Sequence, residues 1–234
     1  MAIDLREFEK TATRIVEKAR ADGRLVDNPE TAELAAILER EPGVRKTLYG
    51  NYSAQSEPTS RAAAYTKNSV DHDFGDDEVK LLEACERELS TQKLIVMDRV
   101  VGDRSSNRTV RLVIPESFAH VAFGGRSLFI KPLAPVTDPT YHIVFFYDDA
   151  FESNKAVPLA KKDITIRLAM LDDAKVIKIV RNSNYIGEYK KGVFAAEDWT
   201  SKTHGPGIFL HAGAREDRLQ TAPVSYTHLR AHET

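Results

Sequence analysis

Two adjacent lysines follow a predicted strand in the last third of the sequence. The segment that begins at Asn184 and contains Lys190 and Lys191 comes shortly after a β-branched run ending near Val180. Ligands of α/β proteins bind where strands end and helices begin, because helix-start N–H groups and the crevice beyond the sheet meet there. Neighbouring ammonium groups make double protonation costly, so one lysine can become neutral and act as a base or metal ligand. The alternative is an exposed basic pair at a helix end, which is a common lysine environment.

Two further segments contain residue types that bind ligands. His211 ends a short apolar run and is followed by Ala212 and Gly213, which leave room for a metal at the imidazole, although such a histidine can also be purely structural. The segment from Gly50 to Arg61 contains Gly, Ser, Thr and Arg of the kind that binds anions. It lacks the G-x-x-x-x-G-K-[ST] spacing of a phosphate loop, and the printed sequence has no such motif and no G-x-S-x-G nucleophile motif.

The elements that position these residues follow from apolar periodicity. Helical spacing predicts a first helix that begins after Asp4 and ends at Gly23. It predicts a second helix that has Asn28 as its N-cap and ends at Pro42-Gly43. A third helix begins at Asp76. Its apolar stripe is predicted to hold Val79, Leu82, Cys85 and Leu89. Cys85 is therefore expected to be a buried apolar side chain and not a nucleophile.

Short β-branched and aromatic runs separated by Gly, Pro, Asp and Asn follow from Lys93 onward. They predict five strands, at residues 94–97, 109–114, 142–147, 164–170 and 176–180. A helix from Glu116 to Phe123, closed by Gly124-Gly125, is predicted between the second and third strands. The expected fold class is α/β, with a mixed sheet of five or more strands flanked by helices and with the helices concentrated in the first third.

Composition excludes several classes of partner. The 33 Lys and Arg residues are interleaved with 35 Asp and Glu residues, so the sequence indicates neither a nucleic-acid partner nor an acidic membrane surface. A single cysteine rules out a disulfide within the chain. Together with acidic residues near the N-terminus and no long apolar run, this predicts a cytoplasmic location and no membrane insertion.

The last eleven residues, 224–234, resemble one translated reading frame of a transposase adapter used in preparing DNA for sequencing. Pro223 can share a codon with that adapter. We therefore expect a natural domain over residues 1–222 and an artefactual tail over residues 223–234. On this interpretation, the chain is the N-terminal part of a longer protein.

The lysine pair lies in Tyr185-Ile-Gly-Glu-Tyr-Lys-Lys-Gly-Val-Phe194, and Leu210-His-Ala-Gly-Ala214 follows it. The first segment resembles the Tyr-x-Gly-Glu-x-Lys-Lys-x-x-Phe signature of the ATP-dependent phosphoenolpyruvate carboxykinases, and the second resembles their Met-His-Cys-Ser-Ala stretch. Upstream segments of the chain are similar to the same family in the same order. These are Val96–Asp103, Glu116–Phe123 and Phe129–Pro132.

The resemblance implies a reaction and a set of roles. Oxaloacetate would lose carbon dioxide, and the resulting enolate would take the γ-phosphoryl group of ATP to give phosphoenolpyruvate and ADP. Lys191 and His211 would bind Mn²⁺, with Lys191 as a neutral amine, and Mg²⁺ would accompany ATP. Lys190 would face the phosphoryl group as the catalytic lysine, and Tyr185 would line the substrate or carbon dioxide site.

The sequence also departs from the family pattern. The family's Gly-Arg-Ser-Pro substrate loop is replaced by Gln55-Ser-Glu-Pro58, so Arg61 is expected to bind the substrate carboxylate instead. The phosphate loop and aspartate metal ligand expected after His211 are not in the sequence, which predicts an inactive fragment that needs a C-terminal nucleotide-binding domain. The alternatives are a related P-loop kinase of different substrate and a non-catalytic binding module on the same scaffold.

Overall fold

The computed structural model describes most of the chain. The described residues are 2–41, 43–54, 64–102, 106–148 and 164–205, with the backbone of 212–216 and 221–225. Contacts between Cα atoms divide the chain into two compact units, Met1–Val193 and Phe194–Thr234. The boundary between residues 222 and 223 that the sequence suggests stays a prediction.

The described residues form five helices and eleven strands. The helices are α1 (Arg6–Ala21), α2 (Thr31–Leu38), α3 (Asp76–Leu89), α4 (Ala119–Gly125) and α5 (Gly187–Thr203). The strands are β1 (Leu25–Asp27), β2 (Val44–Lys46), β3 (Tyr52–Ala54), β4 (Thr66–Asn68), β5 (Leu94–Val100), β6 (Thr109–Pro115), β7 (Tyr141–Phe146), β8 (Thr165–Met170), β9 (Val176–Arg181), β10 (Ala212–Glu216) and β11 (Thr221–Ser225).

Seven strands form one mixed sheet in the order β1-β5-β6-β7-β9-β8-β4. Four neighbouring pairs are parallel, namely β1–β5, β6–β7, β7–β9 and β4–β8, whereas β5–β6 and β8–β9 are antiparallel. Three of the described helices precede residue 90. The α/β class, the mixed sheet and the early concentration of helices are therefore confirmed. The five predicted strands correspond to β5 to β9.

The main core of the first unit lies between one face of the sheet and the helices α1 and α3. Phe8 and Ile15 of α1 and Leu82 of α3 belong to one buried cluster with Val144 of β7. Cys85 is fully buried in the same cluster, as predicted, and burial raises the pKa of its thiol, so the reactive thiolate is disfavoured. The helix α4 and the first turns of α5 pack on the opposite face of the sheet.

Two details of the predicted helices are wrong. Val79 is 37% exposed, so it lies outside the buried stripe of α3. Asn28 does not cap α2, which begins at Thr31 after Glu30. The Asn28 side chain instead pairs with Asp98, since its Oδ1 accepts from the Asp98 N–H at 2.8 Å and its Nδ2 donates to Asp98 Oδ2 at 3.2 Å. The carboxylate and backbone of Asp98 thus hold the Asn28 side chain away from the helix.

The helix predicted from Glu116 begins as a 3₁₀ turn, Glu116–Phe118, before α4. Gly124 and Gly125 are the last two residues of α4, so the helix ends where the sequence predicts. A Cβ at Gly125 would lie 2.8 Å from the Tyr189 ring, so the glycine allows close helix packing. Among the described residues, no helix combines the length and apolarity that crossing a bilayer requires.

His142 of β7 lies in the interior, at 3% exposure. Its pKa is lowered to about 4, first because burial disfavours the imidazolium and then because Arg111 lies nearby. The unfolded chain keeps a histidine pKa near 6.5, so it binds more protons between about pH 6.5 and pH 4, and the folded unit loses stability as pH falls. We expect a loss of about 3 kcal/mol across this interval, measured by urea denaturation at several pH values. The variant His142→Phe should flatten this dependence, and an unchanged slope would contradict the assignment.

In the second unit, the described backbones of β10 and β11 pair as antiparallel strands, with Ala212 opposite Ser225 and Glu216 opposite Thr221. The C-terminal turns of α5 are stabilised locally, since Lys202 Nζ donates to Asp198 Oδ2 at 2.7 Å. Residues 224 and 225 of the adapter-like segment belong to β11, and residues 226–234 lie outside the described part of the chain.

Candidate functional site

The lysine pair lies in the first turns of α5, which follows the carboxyl end of β9. The strands β7 and β9 are parallel neighbours, so their carboxyl ends share one edge of the sheet. Asp148 follows β7, and its Oδ1 accepts from Arg181 Nε at 2.9 Å and from Asn182 Nδ2 at 3.1 Å. Asn182 Oδ1 in turn accepts from the Asp148 N–H at 3.1 Å. These bonds tie the two strand ends together just before the helix that carries the lysines.

Buried polar groups hold the turn between β9 and α5. The Asn184 carbonyl accepts a hydrogen bond from His120 Nε2 at 2.8 Å, and Glu41 contacts both His120 Nδ1 and the His120 N–H. A carbonyl can only accept, so His120 Nε2 donates to Asn184, while His120 Nδ1 faces the Glu41 carboxylate. All three residues are buried. They connect α4 and the segment after α2 to the turn that leads to Tyr185.

Tyr185 folds over the beginning of α5. A Cβ at Gly187 would lie 2.2 Å from Tyr185 Cε1, so only glycine allows the ring to take this position. Lys191 Nζ lies 5.2 Å from the centroid of the same ring, within cation–π range. The structure therefore brings Tyr185 and Lys191 together beyond the carboxyl end of β9.

The Glu188 carboxylate is shared by two lysines. Its Oε2 accepts from Lys178 Nζ at 2.8 Å, and its Oε1 lies 3.3 Å from Lys191 Nζ. The Lys178 ammonium also donates to the Glu188 carbonyl at 2.8 Å. The side chains of Glu188 and Lys178 are 1% and 4% exposed, whereas that of Lys191 is 45% exposed. Burial lowers the pKa of Lys178, and the neighbouring Glu188 carboxylate opposes that shift.

This arrangement sets a specific electrostatic environment for Lys191. Its acidic partner in this turn, Glu188, is divided between the buried Lys178 and the partly exposed Lys191.

Comparison with protein-family models assigns the chain to a family. The model of the ATP-dependent phosphoenolpyruvate carboxykinases, described as phosphoenolpyruvate carboxykinase, matches residues 56–224, well over half of the chain. The chain belongs to this carboxykinase family. The predicted resemblance is confirmed. A search of curated proteins found no match.

The described part of the chain contains three of the five predicted site residues. Tyr185 and Lys191 are in contact, and Lys190 is exposed at the neighbouring helix position. Arg61 and His211 lie outside the described residues, so their roles stay predictions. Within the described ranges, no group of three or more His, Cys, Asp or Glu side chains is arranged to hold a metal ion.

Four residues that surround the candidate site were not predicted from the sequence. Glu188 stands inside the signature, but no role was assigned to it. The sequence does contain a signal for Lys178, because a lysine inside the apolar run of β9 is expected to be buried and to need a counter-charge. His120 and Glu41 lie 79 positions apart, and no local pattern joins them.

The glycine at the start of α5 is expected to control the position of Tyr185. In the variant Gly187→Ala, the added Cβ forces the Tyr185 ring away from Lys191, while alanine favours the helix by up to about 1 kcal/mol. We expect stability within about 1 kcal/mol of the parent and a changed ring environment at Lys191. NMR chemical shifts of the Lys191 side chain and urea denaturation measure the two effects.

Gly192 provides the matched control. A Cβ there would lie 2.7 Å from Ile143 Cδ1 and 2.8 Å from Lys178 Cδ. Gly192→Ala should therefore destabilise the first unit by about 1–3 kcal/mol through overpacking, with the Tyr185 ring unmoved. An unchanged Tyr185–Lys191 contact in Gly187→Ala would show that the glycine is not required for it.

Proposed function

We propose that this chain forms the substrate side of an ATP-dependent phosphoenolpyruvate carboxykinase, which converts oxaloacetate and ATP to phosphoenolpyruvate, ADP and carbon dioxide. The observation that carries the proposal is the contact of Tyr185, Glu188 and Lys191 beyond the end of β9, inside the family match. The small-molecule partners are oxaloacetate, phosphoenolpyruvate and ATP. The same proposal assigns the enzyme to gluconeogenesis in the cytoplasm.

The chemistry places negative charge first on an enolate oxygen and then on the phosphoryl group in transfer. Cations held at fixed positions stabilise both charges, and they do so best where water is excluded. In the proposed roles, Lys190 faces the phosphoryl group, Tyr185 lines the substrate site and Arg61 binds a substrate carboxylate. The exposed position of Lys190, one residue before Lys191, supports its reach toward a bound phosphate.

Lys191 fits the proposed role of a Mn²⁺ ligand together with His211. The Lys191 side chain is 45% exposed, and its Nζ lies 3.3 Å from Glu188 Oε1, while Lys178 binds Glu188 Oε2. The chain's contribution is to hold this amine in place through Glu188 and the Tyr185 ring. When bound, the divalent cation supplies Lewis-acid stabilisation of the enolate oxygen.

The isolated chain is proposed to bind but not to turn over, because the printed sequence has no phosphate loop to hold the ATP phosphates. An uninterrupted version of the gene should encode G-x-x-G-x-G-K-[ST] a few tens of residues past Arg218, in the C-terminal nucleotide-binding domain. A continuation without a phosphate loop would contradict the carboxykinase proposal and favour a binding module.

Binding to the chain itself tests the substrate side directly. Free Mn²⁺ is measured by electron paramagnetic resonance in the presence and absence of phosphoenolpyruvate, with metal-free ATP as a separate ligand. We expect phosphoenolpyruvate to strengthen Mn²⁺ binding, since both occupy one crevice, and metal-free ATP to show no saturable binding. Mn²⁺ binding that is insensitive to phosphoenolpyruvate would contradict the proposed substrate site.

A further inference from the structure

The helix α4 contacts the chain on both sides of Tyr185. On the amino-terminal side, His120 Nε2 donates to the Asn184 carbonyl at 2.8 Å. On the carboxyl-terminal side, α4 lies against Ile186, since a Cβ at Gly124 would lie 2.4 Å from Ile186 Cδ1. The two contacting residues of α4 are four positions apart, so one face of the helix makes both contacts. The helix therefore restrains the backbone that carries Tyr185 from both directions.

Glu41 fixes the orientation of His120. Its Oε2 accepts from the His120 N–H at 2.9 Å, and its Oε1 contacts His120 Nδ1. The side chains of His120 and Glu41 are 6% and 4% exposed, so water competes little for these contacts. A carboxylate that contacts both the backbone and the ring of one residue restricts rotation of the ring. It thereby directs Nε2 at the Asn184 carbonyl.

The hydrogen bond to Asn184 bears directly on the direction of the Tyr185 side chain. Asn184 is buried, and a buried carbonyl that loses a donor costs free energy. The peptide group can recover part of that cost by turning toward another donor. Because this peptide group joins Asn184 to Tyr185, its rotation moves the Tyr185 ring away from Lys191, whose Nζ lies 5.2 Å from the ring centroid.

Lys191 is held by different contacts. Its Nζ lies 3.3 Å from Glu188 Oε1, and Lys178 of β9 binds the other oxygen of the same carboxylate. The contacts of His120 therefore act on the tyrosine of the Tyr185–Lys191 pair, whereas those of Glu188 act on the lysine. A change at His120 is expected to move the ring and leave the amine in place.

We propose that His120 and Glu41 are positioning residues for Tyr185. Glu41 orients the His120 ring, and His120 holds the Asn184 carbonyl. The backbone held in this way places the Tyr185 ring beside Lys191. The use of that ring in the substrate site rests on the proposed function, whereas its placement does not. In the proposed carboxykinase, the two positioning residues support phosphoenolpyruvate binding and not the binding of Mn²⁺ alone.

Two amide substitutions at position 120 test the placement of the ring. In His120→Gln the side-chain amide can reach the position of Nε2, whereas in His120→Asn it reaches only the position of Nδ1. The readout is the ring-current part of the Lys191 ε-proton chemical shift, defined as the difference between the parent chain and Tyr185→Leu. We expect His120→Asn to lose most of this difference and His120→Gln to retain most of it. Equal shifts in the parent and His120→Asn would overturn the proposal, and so would an equal loss in both amide variants.

His142→Asn is the matched control, because it makes the same change at another buried histidine, which lies in β7 beside α1. It should leave the Lys191 shift unchanged, and a loss as large as that in His120→Asn would contradict a specific role of His120. Urea denaturation establishes that each variant is folded under the conditions of the measurement.

Glu41→Ala provides a second test if His120→Asn does not fold, because it frees the ring and keeps the Nε2 donor. The Lys191 shift should then lie between those of the parent and Tyr185→Leu. A parent-like shift in this variant would overturn the proposal.

The functional readout is the effect of phosphoenolpyruvate on Mn²⁺ binding, measured by electron paramagnetic resonance. We expect His120→Asn to bind Mn²⁺ alone as the parent does. The strengthening by phosphoenolpyruvate should fall at least about fivefold, because the buried carbonyl loses its donor. Retained strengthening, or a loss of Mn²⁺ binding itself, would contradict the positioning role. No effect of phosphoenolpyruvate in the parent would contradict the proposed function, and the Lys191 shift would still decide the placement of Tyr185.

Discussion

Replacing Glu188 by alanine is expected to destabilise the first unit by about 3–5 kcal/mol, because it leaves the Lys178 ammonium buried without its carboxylate. The pKa of Lys178 is already lowered by burial and should fall further in this variant. Between that lowered pKa and 10.5, the unfolded chain binds more protons, so the stability of Glu188→Ala should rise as pH increases from 7 toward 10. Urea denaturation at several pH values measures both effects.

Two controls separate the buried pair from other causes. Glu7 and Lys10 are exposed and 2.7 Å apart, so Glu7→Ala should change stability by no more than about 0.5 kcal/mol. The double variant Lys178→Met with Glu188→Leu should recover much of the lost stability, since an apolar pair of similar size avoids the buried charge. A loss below about 1 kcal/mol in Glu188→Ala would show that the pair does not support the fold.

Replacing Lys191 by alanine is expected to weaken Mn²⁺ binding to the chain at least about tenfold, because one of the two proposed ligands is lost. In an enzyme that also contains the phosphate loop, the same change should abolish Mn²⁺-dependent turnover. The fold should persist, because the Lys191 side chain is 45% exposed. Binding is measured by electron paramagnetic resonance, and the fold by circular dichroism.

The neighbouring lysine is the matched control for this prediction. Lys190→Ala should keep Mn²⁺ binding within about twofold of the parent while turnover falls, since Lys190 is assigned to the phosphoryl group and not to the metal. Lys67→Ala, at an exposed position in β4, should change neither quantity. Equal loss of Mn²⁺ binding in the Lys190 and Lys191 variants would point to a general charge effect and contradict the ligand assignment.

Local apolar patterns predicted the central strands β5 to β9, because each is a run of buried β-branched or aromatic residues that no helix spacing explains. The three-residue strands β1 and β4 are too short to show such a pattern. They exist because the edges of β5 and β8 offer unpaired backbone groups, which these segments satisfy as parallel neighbours. A long-range contact also explains why Asn28 does not cap α2, since its side chain binds Asp98 of β5, 70 positions away in the sequence.

The spacing of the lysine-pair signature by itself determined much of the candidate site. Glu188 and Lys191 are three residues apart, so any helix that begins near Gly187 places them on one side within bonding distance. The same short signature also indicated the carboxykinase family, because its residue types and their order are specific enough without any long-range contact. The Glu188–Lys191 contact and the signature are both local, because the residues that form them are close together in the sequence.

Only the tertiary structure decided which groups surround that turn. Lys178 neutralises Glu188 because β9 passes beneath the start of α5, and His120 holds the Asn184 carbonyl because α4 packs beside it. Buried charges and carbonyls require partners in the interior, but many distant residues could supply them. The packing around the sheet determines that these partners are Lys178, His120 and Glu41. The spacing of residues along the sequence does not indicate them.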